Sequence, residues 1–139
     1  MNRARILLAD DHKEMRDRVR THLEREFEVV DAVSNGHALL EAALKLDPDV
    51  CLLDISMPVL NGIETAIQLK ESGSNAKIVF LTIHEDLDFV YAALKTGASA
   101  YVIKRRMASD LRPAIREALA GRTFISSSIT LNPKINGNG

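Results

Sequence analysis

The chain has 139 residues, of which 46% are apolar and 27% charged, and this length and composition are typical of one ordinary globular domain. Its 18 basic and 19 acidic residues leave a net charge of −1, which excludes a strong long-range attraction to nucleic acid. The single cysteine excludes an intramolecular disulfide and a cysteine-based zinc site, and no apolar run reaches the ~20 residues that span a bilayer. We therefore expect a cytoplasmic protein that does not bind membranes.

Five short apolar runs predict five β-strands. Four of the runs are continuous rather than alternating, and most are rich in β-branched residues, which is typical of strands that are covered on both faces. The runs occupy residues 6–9, 29–33, 50–53, 78–81 and 101–103.

Apolar residues at helical spacing follow each of these runs and predict five helices. The positions are Met15, Val19 and Leu23; Leu39, Leu40, Ala43, Leu44 and Leu46; Ile63, Ala66, Ile67 and Leu69; Leu87, Val90, Tyr91 and Leu94; and Ile115, Ala118 and Leu119. Gly73 and Gly97 stand where helix C-caps belong, and Asn61-Gly62 indicates a turn before the third helix.

Strands and helices therefore alternate, which predicts an α/β fold with a parallel sheet and helices on both faces. With right-handed crossovers, we expect a doubly wound sheet of five strands in the order 2-1-3-4-5. Pro113 suits only an opening turn, so we expect the fifth helix to begin near Ser109 or Asp110.

After Gly121 the sequence is polar and rich in turn formers. We assign the domain to residues 1–121 and predict a linker or disordered tail over residues 122–139.

Polar residues follow four of the predicted strands, at the edge of the sheet where open parallel sheets form their sites. Asp10 and Asp11 follow the first strand, Asp54 the third, Thr82 ends the fourth and Lys104 follows the fifth. Three carboxylates this close repel one another unless a cation joins them. Oxygen ligands of this kind suit Mg²⁺, so the sequence predicts a magnesium site.

This arrangement suits chemistry at phosphorus. One carboxylate could act as a nucleophile, as aspartate does in ATPases that form an aspartyl phosphate. The metal and Lys104 would neutralise phosphoryl oxygens, and Thr82 would donate a hydrogen bond to one of them.

Each of these residues also has a structural explanation when it is taken alone. Asp10 and Asp11 would suit the start of the first helix, Thr82 would suit the start of the fourth, and Lys104 would suit a solvated loop. Their coincidence at one edge of the sheet favours the functional interpretation.

The residues at this edge resemble those of the receiver domain of bacterial two-component response regulators, over residues 4–121. The resemblance rests on Asp10-Asp11, Asp54, Met57-Pro58, Asn61-Gly62, Thr82 and Tyr101-Val102-Ile103-Lys104. It implies a flavodoxin-like sandwich of three layers. Similarity to the subgroup that carries a LuxR-type helix-turn-helix output domain rests on residues 97–104, Gly121 and Phe124-Ile125-Ser126.

The resemblance implies that Asp54 is the phosphoacceptor and that a sensor histidine kinase is the donor. Mg²⁺ would be bound directly by Asp11, Asp54 and the backbone carbonyl of Ser56, and by Asp10 mainly through water. Such a domain is not a turnover enzyme, because it catalyses only its own phosphoryl transfer and a slow autodephosphorylation.

The resemblance also implies a switch. Lys104 pairs with the phosphoryl group, Thr82 moves toward it, and Tyr101 changes rotamer and exposure. We expect the signal to leave through the surface of the fourth helix, fifth strand and fifth helix.

The expected partners are a second copy, in a weak homodimer strengthened by phosphorylation, and DNA, bound only through an output domain that these residues do not include. No helix-turn-helix follows residue 121, so we expect either a part of a longer protein or a stand-alone receiver.

The rim of the predicted site departs from the family pattern. Ile83 stands after the switch threonine, where the family usually has a small residue, and Arg105 stands after the site lysine, where the subgroup commonly has Asp. Ser56 and His84 each lie two residues past a site residue and would form the rim together with Ile83. We expect His84 to obstruct the water that hydrolyses an acyl phosphate, although the imidazole could instead orient that water.

Two other functions stay open at this point. An aspartate-nucleophile phosphatase on a similar sheet generally has a second carboxylate two residues after the nucleophile, where this chain has Ser56, so we expect poor turnover. A receiver-like domain that only binds proteins would not need the complete set of carboxylates, hydroxyl and ammonium group. His12, His22 and His37 are interpreted as surface or loop residues.

Overall fold

A single sheet of six parallel strands, in the order β2-β1-β3-β4-β5-β6, forms the centre of the computed structural model, which describes residues 3–129. The strands are β1 (Arg5–Ala9), β2 (Glu28–Val33), β3 (Val50–Leu53), β4 (Lys77–Thr82), β5 (Ala100–Ile103) and β6 (Phe124–Ile125). The helices are α1 (Lys13–Leu23), α2 (Gly36–Leu46), α3 (Gly62–Glu71), α4 (Leu87–Lys95) and α5 (Met107–Leu119). The predicted α/β class, parallel sheet and order of the first five strands are confirmed.

The two faces of the sheet bury separate hydrophobic cores, which explains why the strands are apolar at successive positions. Leu7 and Leu53 point to one face and pack with residues of α2, α3 and α4. Leu8 and Leu52 point to the other face and pack with residues of α1 and α5. Within residues 3–129, no helix is long and apolar enough to cross a bilayer.

The helix ends agree with the predicted local signals. The side chain of Asn61 accepts a hydrogen bond from the amide of Glu64 and caps α3. Gly73 and Gly97 adopt φ angles of 83° and 89°, the left-handed conformation that favours glycine at a helix C-terminus.

The start of α5 differs from the prediction. A 3₁₀ turn over Lys104–Arg106 leads directly into the helix at Met107, so Pro113 lies inside the helix rather than in its first turn. Proline has no amide hydrogen to donate, so it costs the helix one hydrogen bond. Met107 and Leu111, one turn apart, are both buried against the sheet, and this burial favours the earlier start.

The segment after α5 also differs from the prediction of a linker or disordered tail over residues 122–139. Phe124–Ile125 pair with β5 as a sixth strand, and Ile129 belongs to the hydrophobic core on the face of the sheet that α2, α3 and α4 cover. The boundary predicted at residue 121 therefore lies before chain that belongs to the fold. The rest of the predicted tail, residues 130–139, lies outside the described residues.

Candidate functional site

The strand register brings the first two carboxylates of the site side by side. Ala9 of β1 pairs with Leu53 of β3, so Asp10 and Asp54 follow at the same level on neighbouring strands. Asp54 continues the ladder, because its amide donates to the carbonyl of Ala9. Both aspartates are buried, with exposed fractions of 2% and 4%.

Lys104 joins these two carboxylates. Its Nζ lies 2.7 Å from Oδ2 of Asp10 and 2.9 Å from Oδ2 of Asp54, and its side chain is only 8% exposed. Burial opposes the charge, but the hydrogen bonds with Asp10 and Asp54 outweigh it and raise the pKa of the lysine above its usual value. Lys104 is therefore a charged component of the site rather than a solvated loop residue.

The second oxygen of Asp54 has no partner among the described residues. Its Oδ1 is buried and accepts no hydrogen bond from residues 3–129, although a buried carboxylate oxygen is costly to leave unsatisfied. Asp10 is satisfied, since its Oδ1 accepts from the amide of His12 while its Oδ2 faces Lys104. Asp10 thus contacts the start of α1 through the amide of His12 and also contacts Lys104, so the structural and functional interpretations of this residue are compatible.

The carboxylates also form a group that could bind a cation. One ligand atom from each of Asp10, Asp11, His12 and Asp54 lies within 4.8 Å of the others. The oxygen-rich set and the unpartnered Oδ1 of Asp54 fit a hard divalent ion such as Mg²⁺. His12 was predicted to be a surface or loop residue; it is exposed, but its Nδ1 lies 3.0 Å from Oδ1 of Asp11. The only signal in the sequence was its position beside Asp11.

The start of α3 packs directly against the phosphoacceptor candidate. A Cβ atom at Gly62 would lie 2.1 Å from the backbone carbonyl oxygen of Asp54, so only glycine fits there. The amide of Gly62 donates to the carbonyl of Ile55. Before it, Val59 has a φ of 70°, and the amide of Leu60 donates to the carbonyl of Pro58, which is a strained γ-turn. The sequence does not predict this turn.

The loop between β4 and α4 covers the other side of the site. The hydroxyl of Ser56 and Nε2 of His84 lie 2.6 Å apart and share a hydrogen bond. The imidazole of His84 stacks on the ring of Phe89, with centroids 4.3 Å apart. Ser56 and His84, which the sequence placed separately on the rim, are therefore in direct contact. Ile83 is 68% exposed beside them.

Thr82 and Tyr101 are both fully buried. Oγ1 of Thr82 accepts a weak hydrogen bond of 3.4 Å from the amide of His84, and the hydroxyl of Tyr101 donates to the carbonyl of His84 over 2.7 Å. Thr82 does not cap α4, because the N-cap residue is Asp86. Burial, with the negative charges of nearby acidic residues, raises the pKa of Tyr101, so its hydroxyl is a hydrogen-bond donor at neutral pH.

Arg105, which departs from the pattern of the resembled subgroup, holds the same loop from outside. Its guanidinium donates two hydrogen bonds to Glu85, of 3.0 and 2.8 Å. The loop between β4 and α4 is therefore attached to the end of β5 through Tyr101 on the inside and Arg105 on the outside.

The comparison with known families agrees with this geometry, because the model of the response regulator receiver domain matches residues 6–116. The chain belongs to this family. It is 38% identical over 133 residues to the transcriptional regulatory protein DegU of Brevibacillus brevis, covering 94% of this chain and 56% of that protein. It is also 38% identical over 129 residues to the nitrate/nitrite response regulator protein NarL of Escherichia coli K12, covering 91% of this chain and 60% of that protein. The receiver thus spans little more than half of these two relatives.

Solved structures show the same fold. A LuxR-family two-component response regulator from Aurantimonas sp. SI85-9A1 superposes with a TM-score of 0.88 at 32% identity, over 92% of this chain and 93% of that chain. The isolated receiver domain of RcsB from Salmonella enterica serovar Typhimurium, solved with the phosphomimetic BeF₃⁻, gives a TM-score of 0.85 at 27% identity, over 92% and 96% of the two chains. The resemblance to receivers of LuxR-family regulators is therefore confirmed.

Proposed function

We propose that this receiver domain accepts a phosphoryl group on Asp54 from a sensor histidine kinase in the cytoplasm, and that the transfer requires Mg²⁺. The observation that carries the proposal is the asymmetric environment of the Asp54 carboxylate. One oxygen is held by the Lys104 ammonium group, and the other is buried beside Asp10 and Asp11 without a partner among the described residues. A carboxylate in this state has a fixed positive charge beside one oxygen, while its other oxygen is available to a metal ion or to phosphorus.

The transfer exchanges one bond to phosphorus for another. A carboxylate oxygen of Asp54 attacks the phosphorus as the bond between phosphorus and the imidazole nitrogen of the donor breaks. The electron pair of that bond stays on the imidazole, and the product on Asp54 is an acyl phosphate. Lys104 supplies a fixed positive charge to the phosphoryl oxygens, and its raised pKa keeps it protonated.

The acidic residues divide between metal binding and positioning. Asp11, Asp54 and the backbone carbonyl of Ser56 would hold Mg²⁺, which when bound neutralises charge on phosphoryl oxygens. Asp10 would contribute mainly through water, which agrees with the hydrogen bonds that already occupy both of its oxygens.

The switch proceeds through the loop between β4 and α4. In the proposed switch, the Thr82 hydroxyl moves toward the phosphoryl group and releases its weak bond to the amide of His84. Tyr101 responds because its hydroxyl binds the carbonyl of the same residue. The surface formed by α4, β5 and α5 carries the change outward, and we propose that it favours a weak homodimer.

The output is proposed to be transcription. DegU is a transcriptional regulatory protein and is longer than the matched region, which supports control of DNA through an output domain outside these residues. A phosphatase function is less well supported, because the position two residues after Asp54 is Ser56, whose hydroxyl is bound to His84 and cannot act as a general acid like a carboxyl group.

Intact mass after incubation with acetyl phosphate and Mg²⁺ tests the proposal. We expect the wild-type chain to gain one phosphoryl group and Asp54→Asn to gain none. Asp86→Asn is the matched control, because Asp86 is exposed and makes no side-chain cap bond, and it should be phosphorylated like the wild type. Equal labelling of Asp54→Asn, or full labelling of the wild type with Mg²⁺ removed by a chelator, would overturn the proposal.

A further inference from the structure

The chain after α5 returns to the sheet and covers the free edge of β5. Gly121 adopts a φ of 80° and ends the helix. The amide of Phe124 then donates to the carbonyl of Ser99, and the amide of Ser126 donates to the carbonyl of Tyr101 over 2.9 Å. The strand that carries the switch tyrosine and leads into Lys104 is therefore flanked by this short segment.

Ser126 makes a second and more specific contact through its side chain. It is fully buried, and its Oγ accepts a hydrogen bond of 3.1 Å from the amide of Ile103. The same hydroxyl donates to Oδ2 of Asp110 over 2.8 Å. The hydroxyl of Ser126 thus joins the sheet to α5.

Asp110 completes the network from the first turn of α5. It is only 6% exposed and accepts hydrogen bonds from Ser109 Oγ at 2.9 Å and Arg106 Nε at 3.1 Å, in addition to Ser126. A buried polar network in which each member is satisfied is rigid and costly to open. Ser126 therefore holds the backbone amide of Ile103, directly before Lys104, and Asp110 holds the side chain of Arg106, two residues after Lys104.

We propose that Ser126 and Asp110 form a latch that positions the end of β5, and that the latch couples the attachment of residues 122–129 to the state of Asp54. Both are positioning residues, since neither touches the acidic cluster. The latch acts through Lys104, which directly follows the held amide of Ile103 and whose Nζ contacts Asp54. This inference rests on the proposed phosphorylation of Asp54.

The direction of the coupling depends on the part of the chain that the latch fixes. It holds the backbone amide of Ile103, directly before Lys104, while the flexible stem of the lysine side chain lets the ammonium group reach a newly bound phosphoryl group. A ligand that binds at Asp54 and contacts Lys104 therefore binds more tightly when the hydrogen bonds of Ser126 are formed. A bound ligand in turn favours the formation of these hydrogen bonds. By thermodynamic linkage, the factor by which these hydrogen bonds strengthen ligand binding equals the factor by which the ligand favours the hydrogen bonds.

The probe for this coupling is beryllofluoride with Mg²⁺, which imitates a phosphoryl group. The variants to compare are Ser126→Ala and its control Ser127→Ala, because Ser127 is the exposed neighbour of Ser126. The measurement is the affinity of each full chain for the probe. Ser126→Ala should bind about five-fold more weakly than the wild type, and Ser127→Ala should bind equally well. A Ser126→Ala chain that is less stable but binds beryllofluoride like the wild type would show a structural role only and would overturn the latch.

Hydrogen exchange in the wild type gives a test that needs no variant. Beryllofluoride should slow exchange at the amides of Ile103 and Ser126 more than at those of β2, by about the same five-fold factor. The comparison with β2, on the opposite edge, removes the general slowing that any stabilising ligand produces. Equal slowing at both edges would contradict the coupling.

The two proposals fail in different ways. If the wild type does not bind beryllofluoride, or binds it no better than Asp54→Asn does, the proposed function is wrong and the latch falls with it. If the wild type binds in an Asp54-dependent manner and Ser126→Ala binds equally well, only the latch is wrong.

Discussion

The Asp54 carboxylate is distinctive because its two oxygens have different environments. The ammonium group of Lys104 donates a hydrogen bond to Oδ2, whereas Oδ1 is buried and accepts no hydrogen bond from residues 3–129. In Asp10, by contrast, both oxygens are satisfied. This difference supports the proposal that Asp54 is the phosphoacceptor and that Asp10 is a supporting residue.

His84 is bonded to Ser56, which lies two residues past Asp54, and we expect it to affect the lifetime of the acyl phosphate. Its imidazole is held by Ser56 and stacks on Phe89, so we expect it to obstruct the water that attacks phosphorus in line. His84→Ala should lose the phosphoryl group several-fold faster, which corresponds to about 1 kcal/mol in the barrier. The decay of phosphorylated protein at neutral pH with Mg²⁺ measures this effect.

The control for His84 is Ser56→Ala, which removes the hydrogen bond but keeps the imidazole. A smaller acceleration in this variant is expected, because Phe89 still orients the ring. Slower decay in His84→Ala would mean that the imidazole assists the water, and unchanged decay would mean that it has no part in hydrolysis.

Asp110 should make the stability of the domain depend on pH. Burial opposes its ionisation, but hydrogen bonds from Ser126, Ser109 and Arg106 outweigh burial and lower the pKa of Asp110 below 3.8. A group with a lowered pKa in the folded state stabilises the fold above its unfolded pKa and loses this effect as the pH falls through the folded value. Asp110→Asn should therefore lower the free energy of unfolding at neutral pH by about 1 to 3 kcal/mol, and by less at pH values below 3.8.

Urea unfolding at both pH values checks this prediction. The matched control is Asp17→Asn, since Asp17 forms an exposed ion pair with Lys13, and exposed pairs contribute little to stability. A difference between wild type and Asp110→Asn that stays constant with pH would show that the charge of Asp110 has no role.

At the scale of elements, the features set by strand direction and register are the ones that the sequence predicts best. The residues after β1 and β3 and the lysine after β5 meet because parallel strands end at one edge, and the apolar runs make those ends easy to locate. The path of the chain after α5 could not be predicted in this way. Phe124–Ile125 is too short to be recognised as a strand, and the polarity of Ser126 suggested solvent rather than the buried contact with Asp110.

Two local features show other limits of the sequence. The γ-turn at Val59 could not be predicted because a valine with positive φ contradicts its local preference, and the surrounding loop imposes the conformation. The early start of α5 could not be predicted because Pro113 indicates the opposite. At α5, the burial of Met107 and Leu111 outweighs the local preference of proline. Val59, by contrast, is 81% exposed and lies within the turn that the hydrogen bond from Leu60 to Pro58 closes.

Phosphorylation should change the surface formed by α4, β5 and α5. The carbonyl of His84 is bound by Tyr101, and Glu85 is bound by Arg105, so movement of the loop between β4 and α4 reaches β5 through two contacts. We expect amide chemical-shift changes on phosphorylation to concentrate in residues 83–106. Changes confined to residues 13–46 would place the output at the opposite edge of the sheet.

At the scale of the whole molecule, residues 122–129 are part of the folded domain. A chain that ends at residue 121 would expose the edge of β5, remove one of the three hydrogen-bond donors to Asp110 and leave the place of buried Ile129 empty. We expect its free energy of unfolding to be lower than that of the full chain by about 3 kcal/mol, with increased aggregation through the free strand edge. Urea unfolding and light scattering measure the two effects.

The control for this truncation is a chain that ends at residue 129, which keeps β6 and the Ser126 contacts. It should be more stable than the chain that ends at residue 121, by the same ~3 kcal/mol. Equal stability of the chain that ends at residue 121 would restore the domain boundary that the sequence predicted.

Mapping the phosphorylated residue is the most direct test of the central claim, that Asp54 is the phosphoacceptor of this receiver. After incubation with acetyl phosphate and Mg²⁺, the protein is digested and the modified peptide is identified by mass spectrometry, with and without hydroxylamine treatment. We predict that the modification lies on Asp54 alone and that hydroxylamine removes it, as expected for an acyl phosphate. A stable modification on a hydroxyl group, or an acyl phosphate on Asp10 or Asp11 instead of Asp54, would contradict the account.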